Sequence, residues 1–200
     1  MMVQYDTLRK VVEQRGYKWF DRGSYNLNIV GIRRYEAPNT FDDLICVAYR
    51  DGSGEKCFRS WPATTEPGRH YLTNPMNRNG TAVLAPGQYV GAYLIGRHRG
   101  KYAALVQDKP LPVYRDTNRN EVAETTPFKI DTGIFGINIH RASARGESGT
   151  VDKWGAGCQV FADPEHFAQF MNLIYAAKKH WGSRFTYTLI TENKTTEIFF

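Results

Sequence analysis

Short apolar segments, rich in β-branched and aromatic residues and separated by Gly, Asn and Asp, recur along most of this chain. Such segments are typical of β-strands, because branched and aromatic side chains fit a pleated surface and the intervening residues favour turns. The pattern predicts strands at residues 27–33, 44–49, 56–61, 88–95, 101–107, 113–114, 133–140 and 184–190. A chain of this kind is expected to form a mainly β structure.

A short amphipathic helix is predicted near the N-terminus. Its apolar positions follow helical spacing within residues 3–15, and Gly16 ends the pattern. These positions are Tyr5, Leu8, Val11 and Val12. We expect residues 1–24 to form a helical extension of the β-rich body.

A second helix is predicted between the N-cap Asp163 and the stop signal Gly182, with Pro164 in its first turn. One face is apolar and consists of Phe167, Phe170, Met171, Ile174 and Ala177. Two helices beside many strands give the fold class α+β, mainly β.

One domain is expected for residues 25–200. The 200-residue chain is 42% apolar and 14% aromatic, which suffices for a single core, and it contains no repeat or low-complexity linker. Two polar stretches, residues 66–85 and 117–126, are predicted as long loops that rim a site.

The three cysteines do not indicate a metal site or a disulfide framework. Cys46, Cys57 and Cys158 form an odd count without metal-ligand spacing. Cys46 and Cys57 are predicted on two strands around a turn, where core packing is favoured over a cross-strand disulfide. No metal and no cofactor is therefore expected.

The chain is moderately basic, with 26 Lys and Arg against 20 Asp and Glu and a net charge of +6. The cations are dispersed, which favours polyanions in general without specifying one. A nucleic acid partner is disfavoured, because no predicted helix has a basic face and no predicted strand has RNA-binding aromatic spacing. No apolar segment reaches the roughly 18 residues of a membrane span.

One histidine and one cysteine end apolar, glycine-containing stretches: His140 ends residues 136–140 and Cys158 ends residues 155–158. A thiol becomes a good nucleophile when an imidazole takes its proton, and the imidazolium then holds the thiolate at low pKa. We identify Cys158 and His140 as a candidate nucleophile and base. The alternative is a buried cysteine that packs as a small hydrophobe.

This arrangement resembles the catalytic segment of L,D-transpeptidases with the YkuD-type fold, in which a histidine strand and a spacer precede Ser/Thr-x-Gly-Cys. Residues 137–140 match the histidine strand and residues 155–158 match the cysteine turn. Residues 63–71 also look like the Thr-Pro-x-Gly-x-aromatic segment of these enzymes. The resemblance covers residues 25–162 and implies a YkuD-like β-sandwich.

The resemblance also implies roles for individual residues. Cys158 attacks a carbonyl of a peptidoglycan stem peptide to form a thioester, and His140 transfers the protons. The amides of Gly157 and Cys158 are the candidate oxyanion hole, and the carbonyl of Gly155 is the candidate group that orients His140. Contacts with substrate are expected from Asn138, Arg141, Trp154, Tyr71 and His70. Without such contacts, His70 and also His98 are expected to be surface histidines.

Two positions depart from the family pattern. Gly155 stands in place of Ser or Thr, and residues 159–161 stand in place of the usual apolar-Arg pair. The role of the missing arginine is expected at Arg141 or Arg145, or is lost.

The first six residues have neither the charged nor the apolar region of a secretory signal. The family is typically exported, so this absence and the resemblance together predict cytoplasmic synthesis and action in a virion or at the cell wall. The expected partners are a peptidoglycan peptide and other virion proteins.

Three alternatives stay open. A silent virion or cell-wall module would keep the fold and leave Cys158 idle, a nucleic-acid binder would use the positive charge, and an unrelated cysteine protease would need other signatures. If the chain is an enzyme, the sequence does not distinguish transfer to an amine from hydrolysis.

Overall fold

The computed structural model describes residues 2–34, 37–125 and 130–192. The prediction of a mainly β, α+β protein is confirmed. The helices are α1 (Met2–Gln14), α2 (Arg69–Thr73) and α3 (Pro164–Trp181). The strands are β1 (Asn28–Arg33), β2 (Asp43–Arg50), β3 (Lys56–Thr64), β4 (Thr81–Leu84), β5 (Gly87–His98), β6 (Tyr102–Gln107), β7 (Leu111–Asp116), β8 (Ile130–Gly133), β9 (Ile139–Arg141), β10 (Gln159–Phe161) and β11 (Arg184–Thr191).

Eight strands close into a barrel in the order β1-β11-β5-β6-β9-β10-β3-β2, and pairing of β2 with β1 completes the ring. The pairs β1–β11 and β9–β10 are parallel, whereas the other neighbours in the ring are antiparallel. The strands β4, β7 and β8 form a separate three-stranded sheet. The expected β-sandwich is not confirmed, since the main sheet closes on itself instead of forming two facing sheets.

The helix α3 covers the aromatic core of the barrel. It begins as predicted, because the Asp163 side chain accepts a hydrogen bond from the Glu165 N–H at 2.7 Å, and it ends at Gly182 with φ of 78°. Its apolar face packs on the barrel, where the rings of Phe170 and Phe161 have centroids 5.0 Å apart. This packing places β9 and β10, which carry the candidate site, directly against α3.

The N-terminal segment packs on the outer face of the barrel. Along β1 and β2, Ile29 and Val47 face the main core, whereas their neighbours Val30 and Cys46 belong to a second apolar cluster. The N-terminal segment supplies Tyr5, Leu8, Val11, Val12 and Trp19 to this second cluster. The alternation of faces along β1 and β2 therefore accounts for their continuous burial.

The cysteines of β2 and β3 do not form a cross-strand pair. Cys46 lies opposite Ser60 and Cys57 lies opposite Tyr49, and both thiols are free. The possible disulfide between them is therefore not formed.

The predicted polar loop 66–85 contains regular structure, namely α2 and β4. The turn that begins α2 is tightly packed, because a Cβ on Gly68 would lie 2.2 Å from the carbonyl oxygen of Asp152. The Gly68 N–H donates to the Gly155 carbonyl at 2.9 Å. Residues 63–71 and residues 155–158 thus contact each other.

A buried charged cluster lies beside this turn. Arg33 is 0% exposed and donates to the Thr65 and Leu84 carbonyls at 2.7 and 2.9 Å. Asp43 accepts from the Thr65 N–H and hydroxyl, and Glu66 lies 3.7 Å from Arg33. Burial raises the pKa of Glu66 to about 7 and that of Asp43 to about 6, although Arg33 opposes both shifts.

The substitution Glu66→Gln is expected to flatten the pH dependence of stability. Between the ordinary pKa of 4.5 and the native pKa of about 7, the native state holds a proton on Glu66 that the unfolded chain has lost, so stability that is fully present below about pH 4.5 is lost as pH rises through about 7. From pH 5 to pH 8 the free energy of unfolding of the variant should fall by about 2–3 kcal/mol less than that of the wild type. Urea unfolding at pH 5 and pH 8 measures the difference, and equal losses in both proteins would contradict it.

Candidate active site

The parallel pairing of β9 with β10 brings the predicted histidine and cysteine onto one face of the sheet. His140 lies opposite Val160, and the Gln159 N–H donates to the Asn138 carbonyl at 2.9 Å. Cys158 immediately precedes β10 and therefore lies beside Asn138, two positions from His140. Side chains two positions apart share a face of a strand, so the register directs Cys158 and His140 to the same side.

The backbone fixes the proton of His140 on one nitrogen. The ring is 2% exposed, and its Nδ1 lies 2.8 Å from the Arg141 carbonyl oxygen, which can only accept. Nδ1 therefore carries the proton, and Tyr102 donates its hydroxyl to the same carbonyl at 3.0 Å. The orienting carbonyl was expected at Gly155, but that oxygen accepts from the Gly68 N–H instead.

The second nitrogen of His140 is the unusual feature of the site. With the proton on Nδ1, Nε2 is a base with a free lone pair. This atom is buried and has no hydrogen-bond partner within the described ranges. A buried acceptor without a donor is costly and therefore points to a donor supplied by another group during function.

His98 stacks on His140, with ring centroids 3.8 Å apart and planes at 20°. It is 7% exposed and not the surface histidine that was expected. Asn138 accepts the Gln107 N–H at 3.0 Å through Oδ1, which turns its Nδ2 toward Nδ1 of His98 at 3.1 Å. His98 therefore carries its proton on Nε2. Only the pairing of β5, β6 and β9 brings the two histidines together, so no local sequence pattern marks His98.

In part of the predicted strand 133–140, the backbone forms hydrogen bonds with the side chain of Gln107 instead of with a neighbouring strand. Its Oε1 accepts from the N–H groups of Phe135 and Ile137 at 3.0 and 2.9 Å, and its Nε2 donates to the Gly133 carbonyl at 2.8 Å. These bonds take the place of a strand ladder, so β8 ends at residue 133 and β9 begins only at residue 139. A buried glutamine thus fixes the loop before His140.

The thiol of Cys158 points to this loop. Its Sγ–H donates to the Gly136 carbonyl at 3.3 Å, and no hydrogen bond joins it to His140 within the described part of the chain. Burial raises the pKa of Cys158 to about 11, opposed by the Asn138 N–H. Burial and the neighbouring His98 lower the pKa of His140 to about 3. The pair is therefore neutral at rest, unlike the thiolate and imidazolium expected from the sequence.

Alkylation of Cys158 by iodoacetamide is therefore expected to be slow at pH 7 and to rise about tenfold per pH unit up to pH 9, because only the thiolate reacts. The measurement is the second-order rate at pH 5 to 9, with peptide mapping to separate Cys158 from Cys57 and Cys46. A fast rate that is constant below pH 7 would show a preformed thiolate and contradict the neutral pair.

The glycines before Cys158 are required by close packing. Gly157 has φ of 114°, and a Cβ there would lie 2.3 Å from the Ala82 carbonyl oxygen. At Gly155 a Cβ would lie 3.0 Å from a methyl group of Val160, a tight contact that favours glycine at this position. Within the described residues the N–H groups of Gly157 and Cys158 have no hydrogen-bond acceptor, and Gly157 itself is buried.

The substitution Gly157→Ala is expected to destabilise the protein by more than about 2 kcal/mol, since it combines an unfavourable φ with a backbone clash. The free energy of unfolding in urea measures this loss. Gly149→Ala is the matched control, because a Cβ at Gly149 meets nothing within 4 Å. Equal stability of the two variants would show that the turn is less constrained than its geometry indicates.

His140 opens onto a cleft of about 760 Å³, here called the basic cleft. Of the residues expected to contact substrate, Tyr71, Arg141 and Trp154 line this cleft with His140. The basic cleft also contains His98, Tyr102 and three cations that the sequence reasoning did not single out, namely Arg99, Lys101 and Lys153.

The other expected residues lie around the basic cleft. His70 lines an adjoining cavity of about 540 Å³ together with Trp154. A third cavity, of about 320 Å³, lies on the Ala156 side of the cysteine turn and shares Tyr71 with the basic cleft. Asn138 uses its amide for Gln107 and His98. Arg145 is exposed.

Comparisons with protein-family models, curated proteins and solved structures find no match to this chain. Among the helices of the described ranges, none is both long and apolar enough to cross a membrane. In the same ranges no three His, Cys, Asp or Glu side chains are grouped as metal ligands. The geometry of the site is therefore the basis for a functional proposal.

Proposed function

We propose that this chain is a divergent YkuD-like protein that transfers or hydrolyses acyl groups of peptidoglycan stem peptides through a thioester on Cys158. The observation that carries the proposal is the buried Nε2 of His140, which is unprotonated, unpartnered and on the same face as Cys158. An imidazole with one nitrogen fixed by a carbonyl and the other free is suited to act as a general base.

The proposed reaction starts from a neutral thiol and a neutral imidazole. Cys158 rotates from the Gly136 carbonyl toward His140, and its proton passes to Nε2 as Sγ forms a bond with the substrate carbonyl carbon. The proton then passes from Nε2 to the leaving nitrogen as the carbon–nitrogen bond breaks, which leaves the thioester. Water or an amine releases the acyl group, and His140 takes and returns the second proton in the same way.

The cysteine turn offers electrostatic assistance to this reaction. The N–H groups of Gly157 and Cys158 are without acceptors in the described residues, so they are suited to bind the oxygen that becomes negative in the tetrahedral intermediate. The close packing of Gly157 on Ala82 holds this turn in place. The basic cleft beside His140 and the cavity lined by Ala156 are the spaces proposed for an acyl donor and an acceptor, and Cys158 itself lines neither of them.

A second candidate is a catalytically silent module on the same fold. It is favoured by the hydrogen bond from Cys158 to Gly136 and by the high pKa that burial gives the thiol. In this case Cys158 is a structural thiol, and the two buried histidines contribute packing alone.

Incubation with purified peptidoglycan and with soluble stem tetrapeptides separates the two candidates. Chromatography with mass detection should find new cross-links or shortened stem peptides with the wild type and none with Cys158→Ala. Cys57→Ala is the matched control and should keep full activity, because Cys57 lies on β3 and outside the site. Absence of any product from the folded wild type with either substrate would favour the silent module.

A further inference from the structure

We propose that the basic cleft is a binding site for a polyvalent anion, a ligand with at least two carboxylate or phosphate groups. The inference concerns binding alone and does not depend on the acyl-transfer reaction. It rests on the charges that line the cleft and on the contacts that hold the β5–β6 turn and Arg141.

The charge of the cleft is not compensated by the protein. Four cations line it, namely Arg99, Lys101, Arg141 and Lys153, and no carboxylate does. None of the four forms an ion pair with a described Asp or Glu. Like charges in one concave surface repel each other and attract anions, and the low-dielectric walls strengthen both effects.

The nearest acidic residue in the sequence is already engaged. The carboxylate of Asp152 accepts from Asn39 and Thr150, each at 2.8 Å, and it lines the adjoining cavity. Within the described residues Asp152 forms no ion pair with Lys153, and it does not line the basic cleft.

The backbone of the β5–β6 turn, which carries two of the cations, is held in place by the side chain of Arg97. Arg97 donates to the Gly100 and Lys101 carbonyls at 2.9 and 2.7 Å, which clamps the turn from outside. Arg99 has φ of 49° and Gly100 has φ of 70°, a conformation that presents Arg99 and Lys101 on the cleft. A turn fixed in this way loses little entropy when an anion binds.

Arg141 is held by an aromatic ring. Its guanidinium lies 4.2 Å from the ring centroid of Tyr102. Tyr102 also donates to the Arg141 carbonyl, so both ends of Arg141 contact the same side chain. Stacking leaves the edge of the guanidinium available for the bidentate contact that carboxylates and phosphates favour.

Of the two histidines in the cleft, His98 adds a hydrogen-bond donor to the four charges. His98 carries its proton on Nε2, because Asn138 donates to its Nδ1, and the ring lines the cleft. The Nε2 of His140 is buried, so it adds no contact to a ligand in the cleft. One oxygen of a polyvalent anion can accept from the His98 N–H while its other charged group lies beside the cations.

Calorimetric titration of the Cys158→Ser protein at low and at physiological salt tests the inference, with inorganic tripolyphosphate and triglutamate as probes. Cys158→Ser prevents turnover, so the result is separate from the fate of the proposed reaction. In the cleft variant Lys101, Arg141 and Lys153 are all changed to Gln, and affinity should fall at least tenfold. The matched control changes the exposed Lys10, Arg22 and Lys179 to Gln, which removes the same charge elsewhere.

Each result decides the inference. Binding that the cleft variant loses and the control keeps supports it, and the better probe identifies the source as phosphate or carboxylate. Equal losses in both variants would show attraction to net charge alone and overturn it. Absence of binding of either probe at millimolar concentration in low salt would overturn it as well.

Discussion

The variant His140→Gln is expected to form the thioester about 10²–10⁴ times more slowly than the wild type, because it lacks a basic nitrogen to take the Cys158 proton. Glutamine is close to histidine in size, and its amide can still donate to the Arg141 carbonyl that holds Nδ1 of His140. The fold should therefore be kept. The rate of a single turnover with a stem tetrapeptide measures the effect, alongside circular dichroism and urea unfolding.

The control for this prediction is His180→Gln, which removes an exposed histidine from the last turn of α3 without changing the stacked pair. It should keep the rate of the wild type to within a few fold. A folded His140→Gln protein with an unchanged rate would exclude His140 as the base.

The variant Arg33→Met is expected to destabilise the protein by about 3–5 kcal/mol, because it removes one partner of a buried charge network. The side chain is 0% exposed, and its loss leaves the Leu84 carbonyl without its donor and leaves Asp43 and Glu66 without their cation. Urea unfolding at pH 7 measures the loss. Arg22→Met, at an exposed position, should cost little.

A second variant separates lost charge balance from lost packing. Adding Glu66→Gln to Arg33→Met removes a carboxylate that the first change left without its cation, so part of the stability should return. If Arg33→Met alone were as stable as the wild type, the buried charged cluster around Arg33 would not be what holds β1 to the end of β3.

The longer elements of the fold were predictable from the sequence because they depend on local patterns, whereas the short elements α2, β4 and β10 were missed. The longer strands are rich in β-branched and aromatic residues between turn residues, and α3 has its cap Asp163, its apolar face and its stop Gly182. Closure of the barrel was not predictable, because it depends on parallel pairing of β1 with β11 from opposite ends of the chain. The break in the predicted strand 133–140 arises from the side chain of Gln107, a contact that no periodicity reveals.

The candidate site was predictable where glycines and strand ends mark it. The cysteine turn and His140 fall on adjacent strands, and Tyr71, Arg141 and Trp154 line one cleft with His140. Features set by strand order were missed. His98 reaches His140 only through β6, and the basic charge of the cleft is assembled from the β5–β6 turn, β9 and the loop before β10. Dispersed cations in the sequence thus become one charged surface.

The acyl thioester on Cys158 is tested most directly by the intact mass of the wild-type protein. The protein is exposed briefly to a stem tetrapeptide without an amine acceptor, and the reaction is quenched in acid. We expect an increase equal to the mass of the acyl fragment, located on Cys158 by peptide mapping and absent from Cys158→Ala. Cleavage of the tetrapeptide by both proteins, or a folded wild type that gains no mass at any time, would contradict a cysteine acyl-enzyme.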